Sequence, residues 1–149
     1  MSIYEHYSIR DSGYRVGYFV ADHDISVPIK IVITTPATGS YWMALDVSAH
    51  TTVHELIAEA VTIGVAGTAL VFRNRNRQGD HPDNCACEVE HSGTYTGGTT
   101  IFEKVELRGE PGAHMLLKQS TSYQITVTSK ADNNYTSVVM WVWQGSGPG

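Results

Sequence analysis

Two β-strands joined by a turn are predicted by residues 116–144, LLKQSTSYQITVTSKADNNYTSVVMWVWQ. In the first half, Tyr123, Ile125 and Val127 alternate with polar residues, a pattern typical of a strand with one buried face. Residues 132–134, Asp-Asn-Asn, predict the turn, because such side chains bond their own main chain and tolerate left-handed backbone. The end of the chain is therefore expected to form a strand, a turn and a second strand.

The second of these strands is apolar at every position of residues 138–143, VVMWVW. Such a run indicates a central strand covered on both faces, or one whose outer face meets another protein. Trp141 and Trp143 share a face and could form a platform on which sugars stack. Packing inside the protein is the favoured role, because Val139 lies on that face too.

Short strands recur along the rest of the chain. Alternating or apolar runs bounded by turn residues predict strands at residues 14–21, 25–34, 41–48, 68–77, 85–91, 99–107 and 114–117. The second has one apolar face, made of Ile25, Val27, Ile29, Ile31 and Ile33, and Pro28 predicts an edge or a bulge because proline lacks an amide donor. About nine short strands without helix-length connections predict an all-β fold, an antiparallel β-sandwich of the jelly-roll type.

Composition describes one globular domain. The 149 residues are 42% hydrophobic and 17% charged, which excludes wholesale disorder. Residues 13–144 are expected to form the sandwich, after an N-terminal arm at 1–12 and before a disordered tail at 145–149. A formal net charge of −5 argues against nucleic acid as a partner. No secretory signal or apolar span is recognised, so a protein made in a cytoplasm, with no membrane partner, is expected.

Three segments resemble one family. They are ITTPATGSYWMALDVS (33–48), GTALVFRNRNR (67–77) and LKQSTSYQITVTSKADNN (117–134), the last followed by an aromatic strand. Together they resemble the head decoration, or cement, proteins of tailed bacteriophages, over roughly residues 33–144. The resemblance implies a non-enzymatic protein of the outer capsid surface, synthesised in the host bacterial cytoplasm. Its partner would be the major capsid protein, whose subunit contacts it would stabilise. A homo-oligomer is expected, with a trimer favoured over a dimer, and no cofactor.

A second function is kept open, namely a carbohydrate- or host-binding β-sandwich module of a phage tail or virion surface that uses exposed aromatic residues. The two functions differ in what the protein should bind. Co-sedimentation with capsids supports the first, and retention on a glycan array supports the second.

Residues 51–62 follow two local rules that disagree. Thr52 and Glu55 have the spacing of a helical capping box, and the apolar residues of this segment fit one helical face. The resembling family has a strand here, strands precede and follow the segment, and a lone helix would interrupt them. We therefore predict a strand.

Metal and catalytic sites are not favoured by the sequence. His81, Cys85, Cys87 and His91 include the residue types that zinc prefers, but a single residue between the cysteines does not fit the usual knuckles. Free thiols in a reducing compartment are the simpler interpretation. No nucleophile elbow and no glycine-rich phosphate loop occurs, so an enzyme is not expected.

Two sets of residues are candidates for contacts with the capsid or with neighbouring subunits. Arg73, Arg75 and Arg77 share one face of a predicted strand, and their guanidinium groups suit acidic partners. The alternative is an edge strand protected from aggregation by its charges. The second set is Tyr4, Tyr7 and Ile9, which place apolar surface in the N-terminal arm. This arm could instead fold back as an edge strand of its own sandwich.

Overall fold

The computed structural model describes residues 13–74, 85–106 and 114–144. In these ranges the chain forms eleven strands and no helix. The strands are β1 (Tyr14–His23), β2 (Ile29–Thr34), β3 (Tyr41–Ala49), β4 (Val53–Val65), β5 (Thr68–Leu70), β6 (Arg73–Asn74), β7 (Glu88–His91), β8 (Thr94–Glu106), β9 (His114–Leu117), β10 (Ser122–Ser129) and β11 (Asn134–Gln144). The predicted all-β fold is confirmed, with more strands than the nine expected.

The strands form two antiparallel sheets. Sheet A has the order β6-β1-β11-β3-β9, and sheet B has the order β5-β7-β2-β10-β4-β8. One apolar cluster joins them, because it contains Val16 and Met140 from sheet A together with Ile31, Ile57 and Ile125 from sheet B. The molecule is therefore a β-sandwich whose core lies between the two sheets.

Strand pairing follows a nested pattern. The first strand pairs with the last, β1 with β11, and moving inward along the chain β2 pairs with β10, β3 with β9 and β4 with β8. Successive pairs alternate between the two sheets, since β1–β11 and β3–β9 lie in sheet A and β2–β10 and β4–β8 lie in sheet B. The chain thus resembles one long hairpin folded over itself, with β5, β6 and β7 inserted near its tip.

The two C-terminal strands and the turn between them form as predicted, but the strands do not pair with each other, because β10 lies in sheet B and β11 in sheet A. Strand β10 buries Tyr123, Ile125 and Val127 in the core, and β11 lies between β1 and β3, so the prediction of a central strand is confirmed. Asn133 adopts a φ of 55°, the left-handed conformation expected of this turn. The next residue, Asn134, is buried, and its side-chain amide forms hydrogen bonds with the backbone of Thr51 in the β3–β4 connection.

The segment at 51–62 is part of strand β4, as predicted. Strand β4 pairs with β10 on one side and with β8 on the other. Val53 and Ile57 enter the core between the sheets, and Leu56 packs in a smaller cluster on the outer face of sheet B. Helical spacing of the apolar residues is compatible with this arrangement because both faces of β4 are partly covered.

The prediction of a strand over 25–34 is wrong in its first part. Strand β2 begins at Ile29, directly after Pro28, and the preceding residues form a turn in which the Val27 amide donates to the Asp24 carbonyl (3.1 Å). Ile25 and Val27 are consequently exposed, although they were expected on the apolar face with Ile29. Proline ends the ladder because it has no amide to contribute.

The predicted strand over 68–77 is divided within its described part, residues 68–74. Its first part, β5, joins sheet B, and its second part, β6, joins the edge of sheet A. Phe72 lies between these two strands and is buried in the core, so it anchors the segment where the chain passes from one sheet to the other. The sequence pattern could not reveal this change of sheet. Both short strands expose residues on their outer side, so their patterns look like those of one continuous strand.

Two further boundaries differ from prediction. Strand β7 begins at Glu88, so only the second half of residues 85–91 is a strand. Strand β8 begins at Thr94 and continues through Gly97 and Gly98, which were expected to precede it. Both glycines have positive φ angles, of 71° and 89°, and so does Ala60, where φ is 65°. Glu59 pairs with Thr99 and Val61 with Gly97, so the register continues through these residues, and the register shifts lie between Ile57 and Ala58 and between Ile63 and Val65.

Candidate interaction surfaces

Of the six predicted contact residues, the structure describes Arg73. It lies in β6, at the edge of sheet A, where it is exposed and directly opposite Arg15 of β1. This position agrees with the alternative that charge protects an edge strand, and it leaves a binding role untested. Tyr4, Tyr7, Ile9, Arg75 and Arg77 lie outside the described residues, as do the arm at 1–12 and the tail at 145–149.

Cys85 and Cys87 are free thiols. Cys87 is buried in the core and Cys85 is partly buried beside it. A hydrogen bond between the two thiols lowers the pKa of Cys85 and raises that of Cys87. Among the residues that the structure describes, no three His, Cys, Asp or Glu side chains are grouped to hold a metal ion, and His81 lies outside them. His91 packs instead against the ring of Tyr18, with ring centroids 4.4 Å apart.

The two C-terminal tryptophans are buried, as predicted, since Trp141 is 9% and Trp143 0% exposed. They form a cluster with Trp42 and Ala44 on the outer face of sheet A, separate from the core between the sheets. Trp42 stacks on Trp143 with ring centroids 6.5 Å apart. Rings covered in this way cannot serve as a sugar platform, so any aromatic binding surface must be sought elsewhere.

The same outer face of sheet A becomes open beyond the tryptophans. A groove of about 550 Å³ lies there, lined among others by Arg15, Gly17, Phe19, Val71, Arg73 and Val139. A smaller hollow of about 270 Å³ adjoins it and shares Phe19 and Ser137 with it. We call this surface the sheet A groove.

Two exposed aromatic rings border the sheet A groove. Phe19 is 59% and Tyr135 58% exposed, and their ring centroids are 5.8 Å apart. Sequence reasoning did not single them out. The available signal was the alternation in β1, which places Arg15, Gly17 and Phe19 on the face opposite Val16.

A second exposed apolar surface lies at one end of the sandwich. The turn between β1 and β2 presents Ile25, 52% exposed, and Val27, 61% exposed. This turn is held to the β10–β11 turn, because the Ile25 amide donates to the Asp132 carboxylate (3.1 Å) and the Asn133 amide donates to the Asp24 carboxylate (2.9 Å). We call Ile25, Val27 and these anchoring residues the apolar turn.

A buried histidine lies behind the apolar turn. His23 ends β1, and its Nδ1 lies 2.9 Å from the Thr136 hydroxyl. Burial lowers the pKa of His23 below its usual 6.5. A backbone hydrogen bond to Val27, the charge of Asp24 and a backbone hydrogen bond to Val127, in decreasing order of size, raise the pKa but offset the effect of burial only in part. The neutral ring is therefore the form that the fold accommodates.

Stability is consequently expected to fall as the pH decreases from about 7. The unfolded chain takes up a proton on His23 near pH 6.5, whereas the folded chain does so at lower pH, so the unfolded state binds more protons between these values. Urea unfolding of the wild type and of His23→Gln at pH 7.5 and 5.5 measures the effect. The wild type should lose more stability than the variant, and equal losses would contradict the assignment.

Within residues 13–74, 85–106 and 114–144, no helix has the length and apolar character needed to cross a membrane. No family model, no curated protein and no solved structure matches the chain.

Proposed function

We propose that the sandwich is a jelly roll. The support is the nested pairing of β1 with β11, β2 with β10, β3 with β9 and β4 with β8. This pairing gives the four-stranded orders β1-β11-β3-β9 and β2-β10-β4-β8 within the two sheets. A jelly roll has eight strands in two sheets and occurs in viral capsid and lectin domains. The three inserted strands β5, β6 and β7 only extend the edges.

We propose that the protein is a non-enzymatic phage head decoration, or cement, protein. In this role it binds the outer surface of the capsid and stabilises contacts between major capsid protein subunits, as a homo-oligomer with a trimer favoured over a dimer. The resemblance over residues 33–144 motivates the proposal. The structural observation that carries it is the apolar turn, a pair of exposed aliphatic side chains on a fixed backbone.

The apolar turn suits attachment because its conformation is set before binding. Its two cross-turn hydrogen bonds, at 3.1 Å and 2.9 Å, use the carboxylates of Asp132 and Asp24, so Ile25 and Val27 need little further ordering in a complex. Preorganisation of this kind raises affinity by lowering the entropy cost of association. Exposed aliphatic residues held this way are also costly to leave in water.

One turn is too small to form the whole interface. A stable interface buries about 800 Å² on each partner, more than two aliphatic side chains supply. We therefore include Tyr4, Tyr7 and Ile9 of the N-terminal arm, and Arg73, Arg75 and Arg77, among the proposed contacts with the capsid or with a neighbouring subunit.

Co-sedimentation with capsids of the encoding phage, stripped of this protein, tests the proposal. The double variant Ile25→Asp, Val27→Asp should bind at least tenfold more weakly than the wild type, because two carboxylates would be buried without partners. Val65→Asp is the matched control, since Val65 is equally exposed at the far end of β4. Failure of the wild type to sediment with capsids would refute the proposed function, and unchanged binding of the double variant would refute the role of the apolar turn.

A further inference from the structure

We propose that the sheet A groove binds an acidic carbohydrate, an oligosaccharide that carries carboxylate groups. A sugar ring would stack on Phe19 and Tyr135, and a carboxylate would reach the guanidinium group of Arg15. This function is separate from attachment to a capsid and uses none of the residues of the apolar turn.

The shape of the groove suits a small ligand. Its volume of about 550 Å³ lies within the range of about 300–1,000 Å³ found for ligand sites. Its floor is formed at Gly17, where an added Cβ would meet no atom within 4 Å. Glycine weakens a strand interior and often marks a place where a ligand approaches the backbone closely. Gly17 thus leaves open a space that any larger side chain would occupy.

The aromatic pair offers a surface for the apolar face of a sugar. Phe19 and Tyr135 are more than half exposed, even though they contact one another with ring centroids 5.8 Å apart. Exposed aromatic rings grouped in this way commonly mark interaction sites. The tyrosine adds a hydroxyl group, and Ser137, which lines both hollows, adds another that can bond to a sugar.

Charge complementarity selects an acidic ligand. The guanidinium group of Arg15 lies over the Trp141 ring, 5.7 Å from its centroid, and Arg73 is its direct neighbour across the β1–β6 pair. None of the described residues that line the groove is acidic, in a chain with a net charge of −5. Asp46, which lies on the same face, is separated from Gly17 by Val139. A carboxylate can accept two parallel hydrogen bonds from one guanidinium group.

A carbohydrate fits this surface better than an extended peptide does. The groove covers the face of the β1–β11 pair, where Gly17 is opposite Val139 and Phe19 is opposite Ser137. Backbone hydrogen bonds in a ladder lie in the plane of the sheet, so a ligand on the face meets side chains and the uncovered Gly17, but no unpaired amide or carbonyl groups of a ladder. A peptide recognised through its main chain would need a sheet edge instead. Proteins recognise a sugar acid through aromatic rings, hydroxyl groups and a guanidinium group, and this surface provides all three.

Titration calorimetry with hexasaccharides of hyaluronan and alginate and with oligosialic acid tests the proposal, with neutral cellohexaose for comparison. At least one acidic oligosaccharide should bind, at least tenfold more tightly than cellohexaose. Arg15→Gln should weaken acidic binding about tenfold or more, through loss of a charge-assisted hydrogen bond. Tyr135→Ala and Gly17→Leu should abolish binding, the first by removing the stacking surface and the second by filling the groove.

Leu116→Ala is the matched control, because Leu116 is exposed on β9 at the other edge of sheet A, away from the groove. It should leave binding unchanged. The proposal is overturned if none of the acidic oligosaccharides binds, if cellohexaose binds equally well, or if the groove variants bind like the wild type. Loss of capsid co-sedimentation in Gly17→Leu without glycan binding by the wild type would identify the groove as a protein interface and would also overturn it.

Discussion

Trp143→Ala is expected to lower the free energy of unfolding by about 3–5 kcal/mol, the range found when a large buried aromatic residue is replaced by alanine. Trp143 has no exposed surface, lies in the central strand β11 and stacks on Trp42. Its replacement by alanine removes hydrophobic burial and leaves a cavity, around which the neighbouring residues relax only in part. Since domains of this size are stable by only about 5–15 kcal/mol, the variant should be largely destabilised.

Urea unfolding followed by circular dichroism measures this effect. Tyr135→Ala is the control, because Tyr135 is an aromatic residue of the same strand that is mostly exposed. Its free energy of unfolding should change by no more than about 1 kcal/mol, a usual value at the surface. Equal losses in the two variants would contradict the assigned burial of the tryptophan cluster.

Asn134→Ala should cost about 2–4 kcal/mol, as the sum of lost hydrogen bonds and of buried polar groups left without partners. The buried Asn134 side chain accepts from the Thr51 amide (2.9 Å) and donates to the Thr51 carbonyl (3.1 Å) and to the Ser129 hydroxyl (3.1 Å). It therefore ties the β3–β4 connection to the β10–β11 turn. Alanine would leave the Thr51 amide and carbonyl without these partners, whereas the Ser129 hydroxyl keeps its hydrogen bonds to the Ala131 backbone.

The neighbouring residue provides a control of the opposite kind. Asn133 is exposed and has a left-handed φ of 55°, which glycine adopts without steric cost. Asn133→Gly should keep the melting temperature within a few degrees of the wild type, because a change below about 1 kcal/mol shifts it little. A melting temperature for Asn134→Ala as high as that of Asn133→Gly would show that the cross-turn bonds do not stabilise the fold.

The two proposed surfaces can be separated by variants because none of the substituted residues belongs to both, and Arg73, which does, is left unchanged. Attachment to a capsid depends on Ile25 and Val27, at the end of the sandwich, whereas carbohydrate binding depends on Arg15, Gly17 and Tyr135 on the outer face of sheet A. A protein fixed to a shell by its end would leave that face available to other ligands. Each function can therefore fail in its own experiment without affecting the other.

Local sequence pattern predicted the two C-terminal strands and the turn between them because their signals are short-range. The alternation of Tyr123, Ile125 and Val127 requires only that one face of a strand be buried, and the turn at Asn133 requires only local backbone chemistry. For β4, where helical spacing competed, the prediction of a strand depended on its neighbours. The structure confirms that two partner strands flank it.

The sequence by itself thus determined the all-β class, most strand positions, the C-terminal turn and the burial of Trp141 and Trp143. Only the tertiary structure decided that Ile25 and Val27 are exposed, that residues 68–74 divide between two sheets, and that the tryptophans pack on an outer face. The physical reason is that a period of two shows which side chains share a face, but not which sheet a strand joins or what covers that face. Those depend on pairings between residues far apart in the chain, as in the contact of Phe19 with Tyr135 that borders the groove.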